Sequence, residues 1–205
     1  MAKDTIIIFS DKKLFVVDGC PYAKTHCVVP EGTEALPILR TKHPASVMML
    51  GVVGSDGQKM PPYFFEKGLK INTKVYLKVM KKVVFPWIKQ TYPEDNTIYQ
   101  QDSAPAHGAI LTQKWCRENL PDFIPKEMWP PSSPDANPLD YGIWSYIEKR
   151  ACADSHPNVD SLKASICREW EDMPNQYVAK TCDAFIGRIE AIIEANGGHI
   201  EGKRK

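Results

Sequence analysis

Thr97-Ile98-Tyr99-Gln100-Gln101-Asp102-Ser103-Ala104-Pro105-Ala106-His107 is the stretch on which the fold turns. An apolar, β-rich run ends at Asp102, and the Ser-Ala-Pro that follows leaves the strand and leads toward a helix. Further along, Pro131-Ser132-Ser133-Pro134-Asp135-Ala136-Asn137-Pro138-Leu139-Asp140-Tyr141 carries the start signals of another helix. Asn137 suits its cap, Pro138 its first position, and Asp140 its first turn. A carboxylate at a strand end facing one at a helix start is half of a metal site.

Outward from this centre, the segment before Asp102 changes period. From Asn72 to Gln90, Val75, Val79 and Val83 recur at intervals of four, while Lys70, Lys74, Lys78 and Lys81 mark another face. That pattern predicts an amphipathic helix with a basic stripe, ended or kinked late by Pro86. Ahead of it the chain reads as strands: Thr5 to Ser10, Leu14 to Val17 after a short turn, Val47 to Val53, and Tyr63 to Phe65 after Ser55-Asp56-Gly57. Residues 19–45 read as a loop or insertion. After Asp102 come a helix from Gly108 to Asn119, a short strand over Phe123 to Trp129, and the helix opened by Asn137-Pro138. Leu162, Ile166 and Trp170 then give one helical face, and Val178, Phe185, Ile189 and Ile192 another, ended by Gly197-Gly198. Early strands followed by helix, strand, helix, strand and helices predict one α/β domain over residues 1–205, a mixed sheet covered by helices.

Composition narrows the class. With 205 residues, 43% hydrophobic and 25% charged, the chain is long enough and apolar enough for a real core. No stretch has the length of a membrane span and the start lacks the shape of a secretory signal, so the expectation is a soluble, intracellular protein. Six cysteines without a close pair argue against a disulfide framework or a zinc ribbon, and His26-Cys27 with Cys20 and His43 lacks zinc-ligand spacing. The net charge is only +1, but residues 67–89 hold seven lysines and no acidic residue, a local basic patch of the kind nucleic acid recognises.

Hydrolysis of a phosphodiester by two hard cations about 3.5–4 Å apart needs clustered carboxylates. Asp102 and Asp140 supply two. A third can come from Asp11, after Ile6-Ile7-Ile8-Phe9-Ser10, or from Asp18, after Leu14-Phe15-Val16-Val17, and the residues alone do not choose between them. Each also has a plain structural role: Asp140 with the helix dipole, Asp135 in an Asx turn, Asp11 at a hairpin turn, His107 as a cap or core histidine.

Three segments together resemble the acidic motifs of mariner-type transposases: Phe9-Ser10-Asp11-Lys12-Lys13-Leu14-Phe15, Gln101-Asp102-Ser103-Ala104-Pro105-Ala106-His107, and Ser133-Pro134-Asp135-Ala136-Asn137-Pro138-Leu139-Asp140-Tyr141-Gly142-Ile143-Trp144. The resemblance runs from about Thr5 to Ile193. It implies an RNase H-like catalytic domain whose triad is Asp11, Asp102 and Asp140, with Asp135 non-catalytic and a wide last spacing of 37 residues, Ser103 to Leu139. It further implies two Mg²⁺ or Mn²⁺ ions, transposon-end DNA and a TA target, a dimer in the full-length protein, and a place in the nucleus. His107, Asn137 and Trp144 would neighbour the site, Asn137 as a helix cap. Lys12 departs from the pattern, since relatives commonly carry an acidic residue there. Full-length relatives carry two helix-turn-helix units ahead of this region, so the chain reads as a catalytic domain without them. A structure-selective nuclease of the same fold and a domesticated DNA-binding protein are the competing functions.

Overall fold

The computed structural model describes residues 5–19, 41–129, 133–198 and 200. Five strands form one mixed sheet in the order β3-β2-β1-β4-β5. They are β1 (Ile6–Val16), β2 (Ser46–Gly54), β3 (Tyr63–Phe64), β4 (Thr97–Gln100) and β5 (Asp122–Phe123). β2 runs antiparallel to β1 and β3, whereas β4 runs parallel to both β1 and β5.

β1 corrects the sequence reading. The predicted turn between Ser10 and Leu14 does not exist: the ladder with β2 is unbroken from Ile8 opposite Gly54 to Val16 opposite Ser46. Asp11-Lys12-Lys13 stays extended because each polar side chain has a partner. Trp144 donates to Asp11, Lys12 meets His107, and Lys13 pairs with Glu148 at 3.2 Å. β5 is likewise shorter than predicted. Ile124 still donates to the Tyr99 carbonyl at 2.9 Å, but Pro125 has no N–H to extend the ladder, and the chain turns over residues 126–128.

Two apolar clusters cover the two faces. Because side chains alternate along a strand, Ile7, Phe9 and Phe15 of β1 face one way, with Val47, Met49 and Val53 of β2. They pack on α4 (Trp144–Ala151), α5 (Val159–Asp172) and α6 (Asn175–Glu194) through Trp144, Ile147, Leu162, Ile166, Trp170, Val178 and Phe185. Ile189 and Ile192 lie partly buried at that cluster's edge. On the opposite face, Ile8, Leu50, Val52 and Tyr99 meet α1 (Thr73–Val79), α2 (Phe85–Thr91) and α3 (Ile110–Asn119).

α1 and α2 are one rod joined by a π-helical segment, Met80–Val84. Asn72 caps it by accepting from the Val75 N–H at 3.0 Å. Of the two outcomes expected at Pro86, a kink or an end, the helix does not end there. The Phe85 N–H reaches back to the Met80 carbonyl, so the turn before the proline widens by one residue and the helix continues to Thr91. The buried row along this rod is Tyr76, Val79, Met80, Val84 and Ile88, with Val75 and Val83 only partly buried.

Gly19 and Thr41–Ala45 are irregular, as expected of the loop, while residues 20–40 of it lie outside the described residues, with Cys20, His26 and Cys27. Cys116, Cys167 and Cys182 are free thiols. Among the described residues no helix is long and apolar enough to cross a membrane.

Candidate active site

Asp11 sits mid-strand on the α4–α6 face and is 8% exposed. The Trp144 indole N–H donates to its Oδ2 at 2.6 Å, a bond between residues 133 apart in sequence. Gly51, directly opposite Asp11 in the β1–β2 ladder, makes room for that indole. A Cβ there would come within 2.6 Å of the Trp144 ring, 2.9 Å of Leu139 and 3.0 Å of Trp170.

Asp102 lies two residues beyond the end of β4, beside the parallel β1, and its Oδ1 accepts from the Ala104 N–H at 3.0 Å in an Asx turn. The same oxygen is in close contact with His107 Nδ1. Asp140 enters from the helix start as predicted. Asn137 Oδ1 accepts from the Leu139 N–H at 3.1 Å, and the Asn137 carbonyl accepts from the Asp140 N–H at 2.9 Å. After Pro138 the first turn is π-helical, Leu139–Ile143, and runs into α4.

The three carboxyls feel one another. Burial, the Asp140 charge and, less strongly, the Asp102 charge push Asp11 up to about 7 against the opposing Trp144 bond. Burial and Asp102 push Asp140 up to about 6, with Lys13 opposing. Asp140 has more of its surface open to water than Asp11, so solvent screening makes its shift the softer of the two. Asp102 goes the other way. Burial alone would raise it, but His107, the Ala104 N–H and Lys12 together hold it below the ordinary carboxylate range. Burial, only partly offset by Asp102, lowers the His107 pKa and keeps the ring neutral.

Three hard oxygen donors with two uncompensated charges suit Mg²⁺ or Mn²⁺. They are not closed into a ligand cage, however. Among the described residues no group of three or more His, Cys, Asp or Glu side chains is drawn together tightly enough to hold an ion. The Asp140 charge acts on Asp11 as a repulsion, and Asp102 is in contact with His107.

Two other aspartates, Asp18, the alternative third carboxylate, and Asp135 of the last motif, face elsewhere. Asp18 accepts from the Thr41 N–H at 2.8 Å and hydroxyl at 3.2 Å, and Asp135 accepts from the Ile200 N–H at 3.2 Å. Lys74, Lys78 and Lys81 are exposed on the α1 rod, but Lys70 lies before the Asn72 cap, in the loop rather than on the helix face. With Lys82, Leu77 and Leu111 of α3, the three helical lysines line a groove of about 570 Å³. Sequence reasoning named His107 and Trp144 as neighbours but had no signal for Gly51, or for Tyr76 and Gln101, whose hydroxyl–carbonyl bond of 2.6 Å ties α1 to the residue before Asp102.

No protein-family profile matches the chain. Two transposases of Caenorhabditis elegans do. The Tc3 transposase is 24% identical over 196 residues, 95% of this chain and 57% of the relative, and the Tc1 transposase is 26% identical over 122 residues, 60% and 43%. The chain thus spans about half the length of the curated relatives it matches. Solved structures of the Mos1 transposase share the fold. A paired-end complex with the left transposon end superposes with TM-score 0.81 at 18% identity, covering 95% of this chain and 56% of that one. The catalytic domain of the Mos1 mariner transposase gives 0.72 at 17%, covering 95% and 84%, and a further Mos1 paired-end complex contains Mn. The resemblance read from three short motifs therefore extends over 95% of the chain, in sequence and in the RNase H-like fold.

Proposed function

We propose that the chain is the catalytic core of a cut-and-paste DNA transposase, with Asp11, Asp102 and Asp140 as its metal-binding triad. The observation that carries this reading is electrostatic. Three aspartates from three separated segments share one field, and Asp11 and Asp140 are raised by burial and by the neighbouring carboxylates, a cost that a fold has reason to keep only where a cation is to be held.

These residues would hold one or two Mg²⁺ or Mn²⁺ ions, which when bound supply activation of water or a 3′-hydroxyl and stabilisation of the leaving oxygen. The protein's own share is positioning. Trp144 fixes Asp11, Asn137 fixes the turn that presents Asp140, and His107 orients Asp102. Lys74, Lys78 and Lys81 would follow a phosphate backbone along the α1 groove, and Lys70, outside that groove, would add to the same basic surface. Transposon ends and a TA target as substrates, self-association as a dimer, and residence in the nucleus belong to the same proposal, and the Mos1 paired-end complexes among the structural neighbours support DNA as the partner.

A nicking assay with Mn²⁺ tests it. The purified chain should nick DNA, and Asp102→Asn and Asp11→Asn should each abolish nicking while leaving DNA binding intact. Nicking that survives in both variants would remove the triad from the mechanism. Mn²⁺ should also raise the melting temperature of the parent, because an ion bound only by the folded state stabilises it by mass action. That rise should vanish in the Asp11→Asn, Asp102→Asn double variant.

A further inference from the structure

Asp11 and Lys12 leave β1 on opposite faces of the sheet, yet the charge of Asp102 acts on both. Lys12 is half-buried, with its Nζ 2.9 Å from His107 Nε2 and 5.9 Å from the centre of the Tyr76 ring. An ammonium can only donate, so Nε2 is the acceptor and the single ring proton sits on Nδ1, the atom in contact with Asp102 Oδ1. The contacts thus form a directed line from Lys12 through His107 to Asp102.

Its middle member cannot swing away. His107 is 1% exposed and lies against the Tyr76 ring at a centroid distance of 4.0 Å, and Gln113 holds the His107 carbonyl at 3.0 Å. Tyr76 is itself anchored by its bond to Gln101. Among the described residues nothing comparable engages Asp140. The cation nearest it in effect, Lys13, is paired with Glu148.

We propose that Lys12, held on the far side of the His107 ring from Asp102, is a built-in cation whose charge opposes a second divalent ion at Asp102, so that the chain binds one ion readily at Asp11 and Asp140 and another only against that charge. The inference rests on the reading of the three aspartates as metal ligands. Lys12 is then a positioning residue that sets the order and affinity of metal binding.

Calorimetric titration of Mn²⁺ into the whole chain, with free Mn²⁺ counted by electron paramagnetic resonance, decides it. The parent should show one ion bound at low concentration. Lys12→Met should tighten the second binding event by about tenfold or more, since a full positive charge is removed from a poorly solvated site. Lys12→Arg, which keeps the charge, should behave as the parent. A Lys12→Met protein with parental affinity and stoichiometry, in which Asp11→Asn still removes the ion, overturns the inference and leaves the triad standing. Binding untouched by Asp11→Asn overturns both. Should Lys12→Met fail to fold, Mg²⁺ titration of the parent followed by nuclear magnetic resonance of His107 replaces it. The ring signals should stay in place through the first equivalent and move with the second. Movement with the first overturns the inference.

Discussion

Asp11 and Lys12 are neighbours in β1, and the two faces of the sheet treat them differently. On the α4–α6 face, Asp11 is buried beside a like charge, Asp140, and the neutral donor Trp144 offsets this only in part, so its carboxyl is driven up to about 7. On the α1–α3 face, Lys12 meets a neutral imidazole that already serves Asp102, so the carboxylate there stays ionised. One face stores a charge problem and the other has solved one. The difference shows where this fold has room for an external cation, because the uncompensated carboxyls are those a metal would relieve.

The largest test of that contrast removes the charge from the unsolved side. A carboxyl whose folded pKa lies above its unfolded value binds more protons folded than unfolded, so stability falls as pH rises through that window. For Asp11, from about 4 up to 7, and for Asp140, up to about 6, metal-free protein should lose stability between pH 4 and 7. Asp11→Asn keeps the Trp144 bond and deletes the charge. It should stabilise the chelated protein by roughly 2–4 kcal/mol at pH 8 and flatten the pH dependence, as read by urea unfolding. An Asp11→Asn protein no more stable than the parent at pH 8 would mean the carboxyl is not under strain.

A smaller effect sharpens the same side. Gly51→Ala would push a methyl into the Trp144, Leu139 and Trp170 side chains, all buried, and overpacking of this kind costs about 1–3 kcal/mol. It should also loosen the Trp144–Asp11 bond and raise the Asp11 pKa further, a change visible in the carboxyl titration. Gly51→Ala with an unshifted Asp11 titration would show that the indole position does not govern that carboxyl.

How much of this is legible in the sequence differs between the two faces. Helix caps and starts are local, so Asn72 and Asn137-Pro138-Leu139-Asp140 can be read directly, and strand alternation places the core. The middle of β1 cannot. Asp-Lys-Lys is turn-like by composition, and only partners 95 to 135 residues away, His107, Trp144 and Glu148, keep it extended. Pro86 fails as a stop signal because a π turn absorbs it, which no local pattern announces. The three aspartates are found through motif resemblance. Their unequal surroundings are a property of contacts, and only the structure shows them.

The smallest effect on stability, and the one that bears on substrate alone, concerns the outer face of α1. Lys74, Lys78 and Lys81 point to solvent while Tyr76 on the inner side packs against His107, so the same helix carries a surface charge track and a wall of the site. Replacing the three with glutamine should leave the unfolding free energy within about 0.5 kcal/mol, as expected of surface changes away from the core. If the groove they line follows DNA phosphates, affinity should drop for duplexes of any sequence. The slope of log affinity against log salt should flatten by about one unit for each phosphate no longer neutralised. Lys70, standing before the cap and outside the groove, should contribute less to that slope when replaced alone. A slope unchanged in the triple variant would make the stripe an ordinary solvated face and leave DNA to approach the aspartates from another side.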